Sequence, residues 1–107
     1  MTENIGNKVT CYLVHEDSKR DYSAVEDFGK LKVIFSSIDK SFDPHATIAH
    51  VRRTLAKFQQ DDYIVLSGDP ALCAICVTVV VEMYGYCNIM RWDRKLLNYT
   101  TMKLNFD

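Results

Sequence analysis

The sequence predicts a single α/β domain: a three-layer α-β-α sandwich on a mostly parallel sheet, closed at one edge by an antiparallel C-terminal hairpin. Three observations carry this reading. Short, continuous apolar runs at residues 9–14, 31–36 and 63–66 alternate with segments of helical pattern. The connections between those runs are long enough for parallel crossovers, whereas the last two strands are joined by a short polar link. The chain has 107 residues and no repeat, low-complexity tract or linker, so residues 1–107 form one core, with 1–7 expected to be flexible.

The first strand, residues 9–14, is rich in β-formers and apolar on both faces, as in a strand covered from both sides. A charge-dense stretch follows at 15–22. Ser23 and Glu26 then have capping-box spacing, and Gly29 is placed to stop a helix of about two turns. Val33, Ile34 and Phe35 mark the second strand, 31–36, and residues 37–44 are turn-rich. Ile48, Val51, Leu55 and Phe58 recur at spacings of three and four, the buried stripe of an amphipathic helix with Arg52, Arg53 and Lys57 on its flanks. Residues 63–66 are the third strand. The helix that follows has the clearest ends in the chain: Asp69 suits the N-cap, Pro70 the first helical position and Gly85 the C-terminal stop. A fourth strand at 87–92 and a last strand at 99–106 complete the sheet, with Met102, Leu104 and Phe106 on one face. Right-handed crossovers give the strand order 2-1-3-4-5, with the topological switch between the first and third strands.

Composition narrows the function classes. A net charge of -1 excludes an overall positive field for nucleic acid. The amino terminus lacks the pattern of a secretory signal, and the longest apolar run, 71–81, falls short of the ~20 residues a membrane span needs. A cytoplasmic protein with no membrane contact is expected. The four cysteines, Cys11, Cys73, Cys76 and Cys87, lie in apolar segments and are expected to stay reduced. Cys73 and Cys76 have the spacing of a redox or zinc pair, but they sit a turn inside an apolar helix, where thiols behave as small hydrophobes. The three histidines are dispersed, and the nucleophile-elbow and Gly-rich phosphate motifs are missing. No catalytic residue, metal or cofactor is therefore expected.

Two sets of residues are candidates for binding. In open α/β sheets, ligands sit beyond the carboxyl ends of the strands flanking the switch, here the loops holding His15, Glu16, Asp17, Ser67, Gly68 and Asp69. Gly68 would allow a ligand close to the backbone, while Asp69 would repel a phosphate. The second set is Arg52, Arg53 and Lys57 on a helix with Arg91, Trp92 and Arg94 on the hairpin, a surface for a protein partner. Joined by Lys95 and Tyr99, the same residues suit single-stranded nucleic acid, through cations and stacking rings. The last strand also presents an edge that a second copy of the chain or a host protein would cover.

The run Ser67-Gly68-Asp69-Pro70, apolar helix, Gly85, strand, Arg91-Trp92-Asp93-Arg94 and Tyr99 resembles a group of small uncharacterised bacteriophage proteins. In that group a Gly-Asp-Pro helix start precedes a Trp-Asp-Arg hairpin. The resemblance spans about residues 62–106 and implies a phage accessory protein of the infected cell's cytoplasm. With no enzymatic constellation present, the expected function is noncatalytic: binding and modulating a host or viral protein. A small-ligand or nucleotide module at the switch loops, and a nucleic-acid binder, are the alternatives.

Overall fold

Among the described residues the domain has five strands and two α-helices: β1 (Thr10–His15), β2 (Lys30–Phe35), α1 (Pro44–Thr54), β3 (Tyr63–Val65), α2 (Pro70–Tyr84), β4 (Tyr86–Asp93) and β5 (Asn98–Asn105). They are seen in a computed structural model that describes residues 9–36 and 43–106; the expectations for residues 1–7 and for the turns at 37–42 lie outside these. The strand order is β2-β1-β3-β4-β5, with β1 through β4 parallel and β5 antiparallel to β4, as the sequence predicts.

Both helices open on the same Asp-Pro pair. Asp43 accepts from the Ala46 N–H at 3.0 Å with Pro44 in the first turn, and Asp69 accepts from Ala71 N–H at 2.8 Å ahead of Pro70. Gly85 ends α2 in the left-handed region at φ +81°, its N–H donating to Val81 O at 2.8 Å. The predicted stripe of α1 is present, although the helix tightens into a 3-10 turn at Leu55–Lys57 and Phe58 follows in extended backbone. Val51, Leu55 and Phe58 are buried against Tyr12, Val14, Ile34 and Ile64.

The element between β1 and β2 differs from expectation. It is a 3-10 helix, Ser23–Asp27, and no capping box forms. Asp21 instead accepts from the Ser23 N–H at 2.9 Å, so the stretch turns one residue earlier than the Ser23/Glu26 spacing suggests. Gly29 does not stop it by a left-handed cap. A Cβ there would lie 2.5 Å from Val9 O, so the glycine is required by close passage of the chain over the start of β1. The three layers are accordingly unequal. α1 and α2 share one face of the sheet, while on the other Tyr22 and Val25 of this short segment cover Cys11, Leu13 and Val65.

β3, at the middle of the sheet, is short, with three residues. Asp62, just before it and 3% exposed, supplies a tie. Its carboxylate accepts from the Thr10 N–H and the Gln59 N–H, each at 2.8 Å, and Asn88 Nδ2 donates to Gln60 O and Asp62 O at 2.8 and 3.1 Å. One buried carboxylate and one amide thus join β1, the β3 loop and β4.

Candidate functional site

The carboxyl end of the sheet brings together most of the loop residues predicted from the switch point and binds them to one another. Asp69 N–H donates to His15 Nδ1 at 3.2 Å. Gly68, at φ +77°, passes so close that a Cβ would lie 2.5 Å from His15 Cβ. The room that a glycine makes here is filled by the His15 ring. Ser67 Oγ shares a 2.7 Å hydrogen bond with the Tyr22 hydroxyl, which also receives the Asp17 N–H at 3.0 Å. Asp17 in turn accepts from the Lys19 N–H, and the Glu16 N–H donates to Phe35 O. Tyr22, absent from the sequence reading, is the hub of this network.

Beside it lies a pocket of about 390 Å³ lined by Asp17, Lys19, Arg20, Asp21, Trp92 and Tyr99. Trp92 and Tyr99 face each other across the hairpin, their rings edge to face at 5.1 Å and 72°. Burial holds the Tyr99 hydroxyl pKa above its ordinary value, against a smaller opposing pull from the Arg20 guanidinium bonded to it. Asp21 is held below the usual carboxylate range by the Ser23 N–H, so its charge persists beside the two cations. Sequence reasoning missed Lys19, Arg20 and Asp21, although the charge density of 15–22 marked their segment.

The hairpin tip carries a second missed feature. Residues 94–97 turn the chain, with Asp93 Oδ1 accepting from the Lys95 and Leu96 N–H groups at 2.8 and 3.1 Å. Leu96 and Leu97 project from this turn 66% and 73% exposed, and Leu97 has φ +52°. It is the one non-glycine residue with a positive φ among the described residues. An adjacent leucine pair in an otherwise polar turn was the available signal.

The predicted basic surface is divided. Arg52 bridges α1 to Glu82 of α2 at 2.6 Å. Arg53 and Lys57 line a groove with Lys30 and Lys32 beside β1 and β2. Arg91 and Arg94 belong to the hairpin at the far edge of the sheet, where strand alternation puts Arg91 and Trp92 on opposite faces. His50 Nε2 lies 3.0 Å from Ile34 O, packing α1 onto β2, and His45 is exposed.

All four cysteines are free thiols. Burial pushes Cys11 up to about 11 and Cys76 and Cys87 up to about 12. Half-buried Cys73 is raised by desolvation too, its Sγ donating to Ser67 O at 3.5 Å. A thiol reagent at neutral pH should therefore modify Cys73 slowly and the other three only after denaturant is added; rapid modification of Cys76 in the native protein would contradict this packing. Because the folded thiols keep protons that the unfolded chain releases near pH 9, their contribution to stability should fall between about pH 9 and 12. Among the described residues, no group of three His, Cys, Asp or Glu side chains is placed to hold a metal ion, and no helix is long and apolar enough to cross a membrane.

Residues 9–106 match the family model described as phage Pam3 gp32-like protein. Comparison with curated proteins and with solved structures gave no match.

Proposed function

We propose that this chain, which belongs to the phage Pam3 gp32-like protein family, is a noncatalytic accessory protein that binds and modulates a host or viral protein in the infected cell's cytoplasm. The contact is made by the tip of the β4–β5 hairpin. The observation that carries the reading is the pair Leu96 and Leu97: two large apolar side chains held out in water, one on backbone that glycine or asparagine would occupy at lower cost. A turn selected only for folding would place a small or polar residue at this left-handed position. Arg94, exposed in the same turn, sets a charged side chain next to the leucines in the chain, as at the polar margin of a protein-binding patch, and Arg91 is exposed further down β4. The half-buried Trp92, packed on Tyr99, anchors the base of the hairpin.

Leu97→Gly separates binding from folding, because it relaxes the backbone and deletes the side chain in one step. Its expected effect is a gain of about 1 kcal/mol in stability. Paired with Leu96→Ser, it should abolish capture of a stoichiometric protein partner when the tagged chain is purified gently from infected cells. Retention of the same partner at the same stoichiometry by the double variant would sink the proposal. A nucleotide retained without any protein would transfer the function to the pocket between Arg20 and Trp92.

A further inference from the structure

The two edges of the sheet are chemically unlike, and the β2 edge carries a site that the hairpin reading does not use. Lys30 and Lys32 alternate onto the helix-bearing face of β2, where Arg53 and Lys57 reach them from the end of α1. Together they line a groove of about 690 Å³. All four cations are exposed, and among the described residues none has a carboxylate within ion-pair distance. Asp62 also borders the groove, but it is 3% exposed and its oxygens are engaged by the Thr10 and Gln59 N–H groups. In a chain of net charge -1, this is a concentrated positive surface.

The main chain beside the groove is also available. Lys30 N–H donates to Val9 O on the β1 side, so the alternation of a parallel ladder turns the N–H and C=O groups of Leu31 and Val33 outward. Among the described residues no strand pairs with that side. Lysines alone on an edge strand serve to keep other chains away. Here two further cations from a different element converge on the same groove, which a purely protective edge does not require.

We propose that the outer edge of β2 accepts an acidic, extended segment of another protein as a sixth strand, its carboxylates alternating onto Lys30, Lys32, Arg53 and Lys57. Main-chain pairing supplies a generic part of the affinity and the cations supply selectivity for acidic side chains at every second position. The intervening side chains lie over Leu31 and Val33. Single-stranded nucleic acid is the less fitting occupant: the one aromatic residue lining the groove, Tyr12, is 4% exposed and offers no face for a base.

Fluorescence anisotropy with a labelled octapeptide alternating glutamate and threonine tests the assignment. Saturable, salt-sensitive binding is expected, with no binding of the peptide in which lysine replaces glutamate. Both Lys30→Glu/Lys32→Glu and Arg53→Glu/Lys57→Glu should weaken it at least about tenfold while leaving the circular dichroism spectrum unchanged. N-methylation of alternate peptide bonds should cost about as much, because it removes the main-chain donors. Failure of the glutamate peptide to bind overturns the proposal. So does indifference to N-methylation, which would leave only diffuse charge attraction, and so does tighter binding of a single-stranded oligothymidylate, which would assign the groove to nucleic acid.

Discussion

Gly68→Ala should destabilise the domain by about 3 kcal/mol, the sum of about 1–2 for a side chain in left-handed backbone and about 1–3 for overpacking. The position tolerates neither demand. Its φ is +77°, and a Cβ would lie 2.5 Å from His15 Cβ and 2.7 Å from both Cγ and Nδ1. The His15 ring cannot simply swing aside, because its Nδ1 receives the Asp69 N–H at the start of α2. In a domain of this size the melting temperature should fall by roughly 15 °C, at about 4–8 °C per kcal/mol. Urea denaturation of Gly68→Ala in a His15→Gly background separates the two causes. Removing the contacting atoms should recover the steric part and leave the backbone part; no recovery would show that His15 is not the obstacle.

Asp62→Ala should cost about 2–4 kcal/mol, since it strands two backbone N–H groups whose acceptor is a buried carboxylate. The Thr10 and Gln59 N–H groups each donate to it at 2.8 Å, and both belong to segments that fix the position of the three-residue β3. Asp62→Asn retains one acceptor but turns an amide donor toward the other N–H, so its loss should be intermediate. Hydrogen exchange gives a local readout. The Thr10 and Gln59 amides should lose protection first in both variants, and unchanged protection at Thr10 would show that water or another group replaces the carboxylate.

The fold was legible where local chemistry and global topology agree. Apolar runs separated by crossover-length segments set the strand order, and Asp69, Pro70 and Gly85 marked the ends of α2 to the residue. Ser23–Asp27 was misread because a capping-box spacing has no force when Asp21 reaches the same N–H first. Gly29 misled for a related reason: a glycine demanded by a neighbouring strand looks, in sequence, like one demanded by a helix end. The candidate site was less legible. His15, Ser67, Gly68 and Asp69 do meet, yet their bonds run to one another and to Tyr22, and no spacing rule connects Tyr22 to Ser67 forty-five residues away. The basic residues divided because helix flanks and strand faces, not proximity in sequence, decide which cations share a surface. Arg52 turned to Glu82 while its neighbour Arg53 joined Lys30 and Lys32.

The pairing pattern also predicts an order of assembly. β4 and β5 are joined by a four-residue turn and pair in unbroken register from Asp93↔Asn98 to Tyr86↔Asn105, so they can zip from their own turn in about 1–10 μs. β1 sits between β2 and β3, and its contact with the β3 loop joins Thr10 to Asp62 across 52 residues of chain. Closing that long loop costs entropy before any long-range contact rewards it. The hairpin that carries Leu96 and Leu97 is therefore the earliest part of the sheet able to form, and the β1–β3 pairing, which spans the longest stretch of chain, is the last. Early in folding the chain should already display the exposed Leu96–Leu97 tip, while the basic groove, which needs β1, β2 and α1 together, does not yet exist.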